Sequence, residues 1–174
     1  RRHTRFKCDW SSDVCSSDLT GIGATGAGNA VETASTNLAA KTTTSGAIFI
    51  KEFDGTTVDS VTVDGVTVAG IVTAGSGTGD LVKLTSTTGD ITIKKAITAA
   101  GGAADVALEA TAGQILQGAV GERVKGNNVT LTADTGIGAT GAGNAVETAS
   151  TNLAAKTTTS GAIFIKEFDG TTVD

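Results

Sequence analysis

The chain has 174 residues, with 13 Lys plus Arg against 18 Asp plus Glu, a formal net charge of −5, 24 glycines and no proline, methionine or tyrosine. An acidic balance offers no basic face to nucleic acid. No apolar run approaches the ~18 residues that a membrane-spanning helix requires.

The first nineteen residues differ from everything that follows. Arg1–Leu19 holds the only His (His3), the only Trp (Trp10), both cysteines (Cys8 and Cys15) and three of the four arginines. Asp9–Leu19 resembles the translation of a sequencing-library adapter, and Arg1–Arg5 the primer segment upstream of it. Residues 1–19 are therefore read as an artefactual, disordered tail and left out of fold reasoning. Two cysteines and one histidine do not complete a zinc site, and the tail lacks the apolar stretch of a signal peptide.

The next stretch, Thr20–Asp59, occurs twice. It recurs without a change at Thr135–Asp174, an offset of 115 residues. Residues 20–134 are thus one repeat unit and residues 135–174 the start of the next, as in a fragment of a longer array. This body has no Cys, His, Trp, Tyr, Met or Pro, and it is rich in Gly, Ala, Thr and Val. Small β-branched residues favour many short strands over a globular core built on aromatics.

A shorter period runs inside the unit. Val82-x-Leu84, Val106-x-Leu108 and Val129-x-Leu131 each have a glycine five positions later, at Gly89, Gly113 and Gly136. Leu38-x-Ala40 is aligned with them, its glycine falling one residue late at Gly46. Val61-Thr-Val-Asp64, Ile91-Thr-Ile-Lys94 and Val129-Thr-Leu-Thr132 alternate as strands with one buried face do. Glycine and Asn/Asp breakers separate them. Cutting at the breakers predicts five coils, Thr36–Gly55, Thr56–Thr78, Gly79–Ala103, Ala104–Gly126 and Asn127–Ser150, of which Thr56–Thr78 fits least well. Such coils stack, each burying its inward Val, Leu and Ile on its neighbours. The expected fold is all-β, a parallel β-solenoid with about five coils per 115 residues.

The stretch from Asn127 to Thr157, followed by Gly161–Glu167, and with Gly89–Ile93, resembles the haemagglutinin-type repeats of filamentous-haemagglutinin-like bacterial surface adhesins and related autotransporter passengers. The resemblance covers residues 20–174. It implies a right-handed parallel β-helix, export to the outer cell surface or beyond, and a role as stalk or adhesin toward a host-surface or matrix ligand. It brings no catalytic residue, cofactor or metal.

Gly21-Ile-Gly23-Ala-Thr-Gly26 and its copy Gly136–Gly141 match a dinucleotide-binding GxGxxG. No βαβ unit follows, so a glycine turn is the better reading. Asp54, Asp59, Asp64, Asp80 and Asp90 could be imagined on calcium, but the calcium-binding nonapeptide is absent and solvated turn acids suffice. A polysaccharide-active β-helix enzyme needs convergent carboxylates or a tuned base. The body has one Arg and no His, so catalysis is not expected.

Phe49 and Phe53, with copies Phe164 and Phe168, are the body's only aromatics. Phe49 lies between Ile48 and Ile50 and points the opposite way. With the isoleucines inside, Phe49 and Phe164 either form a contact face or pack under a loop of the next coil. A tandem immunoglobulin-like β-sandwich is the competing architecture. It differs in pairing: antiparallel hairpins rather than parallel partners about 23 residues apart. Cut ends of a solenoid expose strand edges, so edge-to-edge self-association is also expected.

Overall fold

The structure, a computed structural model, describes residues 21–26, 28–75 and 80–173. The adapter-like tail, with Cys8 and Cys15, and most of the Gly75–Gly79 breaker lie outside these residues. Every described element is a strand, and all pairings but one are parallel. That pairing is not the Greek key of a sandwich.

The strands follow the chain round a shared interior. First come β1 (Val31–Thr33), β2 (Asn37–Leu38) and β3 (Ala40–Lys41), then β4 (Ile48–Glu52) and β5 (Thr56–Val58). A hairpin of β6 (Ser60–Val63) and β7 (Val66–Ala69) interrupts before β8 (Ile71–Val72). Next are β9 (Leu81–Ser86), β10 (Ile91–Ile93), β11 (Ile97–Thr98), β12 (Asp105–Ala110) and β13 (Gln114–Gln117). The last are β14 (Val124–Ala133), β15 (Gly136–Ile137), β16 (Val146–Thr157), β17 (Ile165–Glu167) and β18 (Thr172–Val173).

Two parallel sheets result. One has eleven strands, β1-β4-β9-β12-β14-β11-β8-β3 with β16, β17 and β18 joined through β16. It curls because β14 and β16 each turn a corner: Val124 pairs with Ile97, while Val129 pairs with Val106. The other has five strands in the order β15-β13-β10-β5-β2. Their inward residues form one core. Ile48, Val82, Leu84, Ile91, Ile93, Ile97, Ile115 and Ile137 have no exposed surface. Each such side chain contributes roughly 1.5–3 kcal/mol by leaving water.

Register is set by this alternation. Ile48, Val82, Val106 and Val129 stand in one column, and Ile50, Leu84, Leu108 and Leu131 in the next. Both columns are inward, and a slip of one residue would turn them all to solvent. The glycines five positions later make the corner between the two sheets. A Cβ on Gly113 would stand 2.4 Å from the Gly89 carbonyl oxygen, and one on Gly89 would stand 2.3 Å from that of Asp54. The chain can stack on itself there only without side chains. A polar ladder marks another corner. Asn128 Nδ2 donates to Asp105 Oδ1 at 2.8 Å, and Asn152 Nδ2 donates to Asn128 Oδ1 at 2.8 Å.

Two expectations are corrected. Leu38-x-Ala40 does not share the Val82 column; Ile48-x-Ile50 does, followed by Gly55 at the expected distance. Leu38 instead pairs with Val58 in the five-stranded sheet. Within Thr56–Thr78, β5 and β8 do stack in parallel on β10 and β11, but the valine-rich stretch between them leaves the stack. Val61–Asp64 belongs to an antiparallel hairpin with Asp64 and Gly65 at its tip, both at positive φ (49° and 76°). That geometry is the Asp-Gly hairpin turn, and the strand it serves has no buried face. The column Ile22, Ile48, Val82, Val106, Val129 makes four returns, and Ile137 lies in the other sheet. The forty duplicated residues therefore do not return to the same place round the interior after 115 residues.

Candidate functional site

Phe49 points outward, as the alternation requires, and lies opposite Lys83 of β9. It is nevertheless only 8% exposed. The glycine-rich loop ahead of β1 meets it: Phe49 N–H donates to the Ile22 carbonyl at 2.7 Å, and a Cβ on Gly23 would stand 2.5 Å from the Phe49 carbonyl oxygen. So the covering loop belongs to the preceding circuit rather than the next one. A cleft of about 600 Å³ lies between this loop and the outer surface of β4 and β9, lined among others by Ala24, Gly28, Phe49, Lys51, Leu81 and Lys83.

The second copy is built alike but less covered. Phe164 is half-buried, and its N–H donates to the Ile137 carbonyl at 2.7 Å. The exposed members of the two pairs are Phe53, at 63%, and Phe168, at 39%. Arg123 Cζ lies 3.9 Å from the Phe168 ring centroid and Lys166 Nζ 4.5 Å from it, both within cation–π range. The structure does not bring Phe49 and Phe164 together into one site.

Sequence reasoning missed a matched pair of hydrogen-bonded carboxylates. Glu52 is fully buried. It accepts from Thr33 Oγ1 at 2.6 Å, from Ser35 N–H at 2.8 Å and from Ser35 Oγ at 2.9 Å. Glu167, half-buried, repeats the arrangement with Thr148 Oγ1 at 2.6 Å, Ser150 N–H at 3.1 Å and Ser150 Oγ at 3.1 Å. Burial pushes the Glu52 carboxyl up, but the Thr33 and Ser35 hydrogen bonds outweigh it and hold the group below its ordinary value. The same contest, with Asp169 and Thr148 the leading donors, brings Glu167 down to about 2. Asp169 is pushed up by sharing its proton with Glu167. The signal was present: Glu52 falls two residues after Ile50, in phase with the inward isoleucines.

The glycine motif opens no helix. Ile22 forms a parallel bridge to Ile48, and Ala24 N–H donates to the Asn29 carbonyl across the loop. The aspartates serve the backbone individually. Asp59 Oδ1 accepts from Ser60 N–H at 2.7 Å, Asp80 Oδ1 from Gly46 N–H at 2.7 Å and Asp90 Oδ1 from Gln114 N–H at 2.7 Å. Among the described residues no three His, Cys, Asp or Glu side chains are grouped to hold a metal ion. Among the same residues no helix is long and apolar enough to cross a membrane.

No family model, no curated protein and no solved structure matches this chain.

Proposed function

We propose that residues 20–174 are a segment of a right-handed parallel β-solenoid that serves as a structural and adhesive stalk of a secreted or surface-exposed bacterial repeat protein. The observation that supports this best is the shared aliphatic interior, in which inward columns from successive circuits stack in register. Such a fold is extended by adding circuits, which suits a projecting rod. The titratable groups support a structural role over a catalytic one, since Glu52 and Glu167 spend their oxygens on the chain's own Thr and Ser donors. The contact face of the adhesin is the cleft beside Phe49, with Phe164 as its counterpart in the second copy.

Beads coated with the chain, passed under flow over glass carrying extracellular-matrix proteins, test this. The expected result is retention above albumin-coated beads, reduced by Lys83→Glu at the cleft. Retention equal to albumin on every matrix protein contradicts the adhesive role.

A further inference from the structure

The β6–β7 hairpin departs from the rest of the molecule. It is the antiparallel pair among the described residues, and it forms a sheet of its own. Its register places Val61 opposite Val68 and Val63 opposite Val66. These four valines share one face. Ser60, Thr62, Thr67 and Ala69 share the other, where the Thr62 and Thr67 hydroxyls lie 2.7 Å apart. Val63 is 69% exposed and Val66 67%, while Val61 and Val68 are half-buried. The base of the hairpin is tied down where Gly70 N–H donates to the Asp59 carbonyl at 3.0 Å.

An isolated two-stranded hairpin is marginal in water. This one turns the outer half of its apolar face, Val63 and Val66, to solvent and leaves both outer strand edges unpaired among the described residues. From Ser60 to Ala69 its one charged side chain is Asp64, at the tip. It lacks the lysines, prolines or bulges with which exposed edges are blunted. A short run of high β-propensity, low charge and no proline is the pattern that pairs with copies of itself.

We propose that this hairpin is a self-association surface whose partner is the same hairpin of a second copy of the chain. Two hairpins meeting edge to edge make a four-stranded sheet with eight valines on one side. The same edge of two copies can pair antiparallel about a two-fold axis, which sets Val-Thr-Val of one copy beside Val-Thr-Val of the other. A patch this small gives a weak contact between single chains. Where many hairpins are presented together, the contacts sum by multivalency. The inference does not depend on the adhesive reading above, and it differs from association through the ends of the stack.

Sedimentation of the full chain under reducing conditions, so that Cys8 and Cys15 cannot link copies, tests it together with amide hydrogen exchange. The expected result is a weight-average mass that rises with concentration, with protection at Ser60–Ala69 rising in step. Val63→Lys/Val66→Lys should remove the added protection and lower the mass reached at each concentration, while leaving circular dichroism and melting unchanged, because both side chains are exposed. Val63→Ile/Val66→Ile should restore or strengthen them. A chain that stays monomeric throughout overturns the proposal. So does association undiminished in the lysine variant, or association that proceeds without added protection at Ser60–Ala69.

Discussion

Leu38 and Leu153 are the same residue of two identical stretches, yet they stand in different sheets. Leu38 pairs with Val58 in the five-stranded sheet, and Leu153 pairs with Val129 in the eleven-stranded one. Both are buried, at 8% and 6% exposure. The local geometry survives the move: Val31 pairs with Ile50 as Val146 does with Ile165, and Glu52 and Glu167 keep equivalent donors. The forty residues therefore form a transferable unit, and its position round the axis depends on what precedes it. A repeat that is not a whole number of circuits turns each copy of a surface feature to a new direction.

Acid should weaken the fold through the paired glutamates. A carboxyl held below its unfolded value stabilises the native state above that value and loses the contribution as pH falls through the lowered one. For Glu167 the window runs from the ordinary 4.5 down to about 2. Asp169, pushed up, has the opposite sign and offsets part of this above its own ordinary 3.8. Glu52 is lowered from 4.5, so its contribution also begins to fall there. Urea unfolding across this range should show stability declining below pH ~4.5. Glu52→Gln should flatten that decline and cost about 1–3 kcal/mol at neutral pH, as buried donors lose a charged acceptor. An unchanged slope in the variant contradicts the assignment.

The corner glycines give a steric prediction. A Cβ at Gly113 would lie 2.4 Å from the Gly89 carbonyl oxygen and 2.5 Å from its carbon, so backbone must move. Gly113→Ala should destabilise by about 1–3 kcal/mol, the usual cost of forcing extra volume into packed structure. A Cβ at Gly102 would meet nothing within 4 Å, and its φ is not positive. Gly102→Ala should be neutral or stabilise by roughly 0.4–1 kcal/mol through the unfolded chain. Thermal melts of the two variants side by side check this; equal effects would remove the stacking argument.

Phe49 and Phe164 should respond unequally to truncation. Phe49 is buried against loop and strand, whereas Phe164 is half-buried. Phe49→Ala should lower the melting temperature more than Phe164→Ala, and amide exchange should quicken in the loop between Ile22 and Ala30. Equal, negligible shifts would mean that the loop does not hold the ring.

Much of the fold was legible because the physics was local and periodic. Val82, Val106 and Val129 announce their column by alternation, and Gly89 and Gly113 announce their corner by position. The phase of the first circuits was not legible in the same way. Leu38-x-Ala40 and Ile48-x-Ile50 both fit an inward pair, and only stacking on Val82 decides between them. The hairpin was legible in principle, since Asp64-Gly65 between valine-rich runs is a strong turn signal. The stretch also has the length of one coil, which hides the turn. Phe49 showed its direction but not its burial, because a strand pattern says nothing of a loop folded over it. Glu52 was not legible because carboxylates are rarely fully buried, and its donors, Thr33 and Ser35, lie one circuit away.

The most direct test of the central claim is a set of backbone nuclear Overhauser contacts in the isotopically labelled chain. Parallel stacking places Leu84, Leu108 and Leu131 in adjacent register. Inter-strand amide and Hα contacts should therefore link the strands of Leu84 and Leu108, and those of Leu108 and Leu131, and should follow one direction along each strand. Contacts instead joining β9 to β10, or β12 to β13, as antiparallel neighbours would contradict the account.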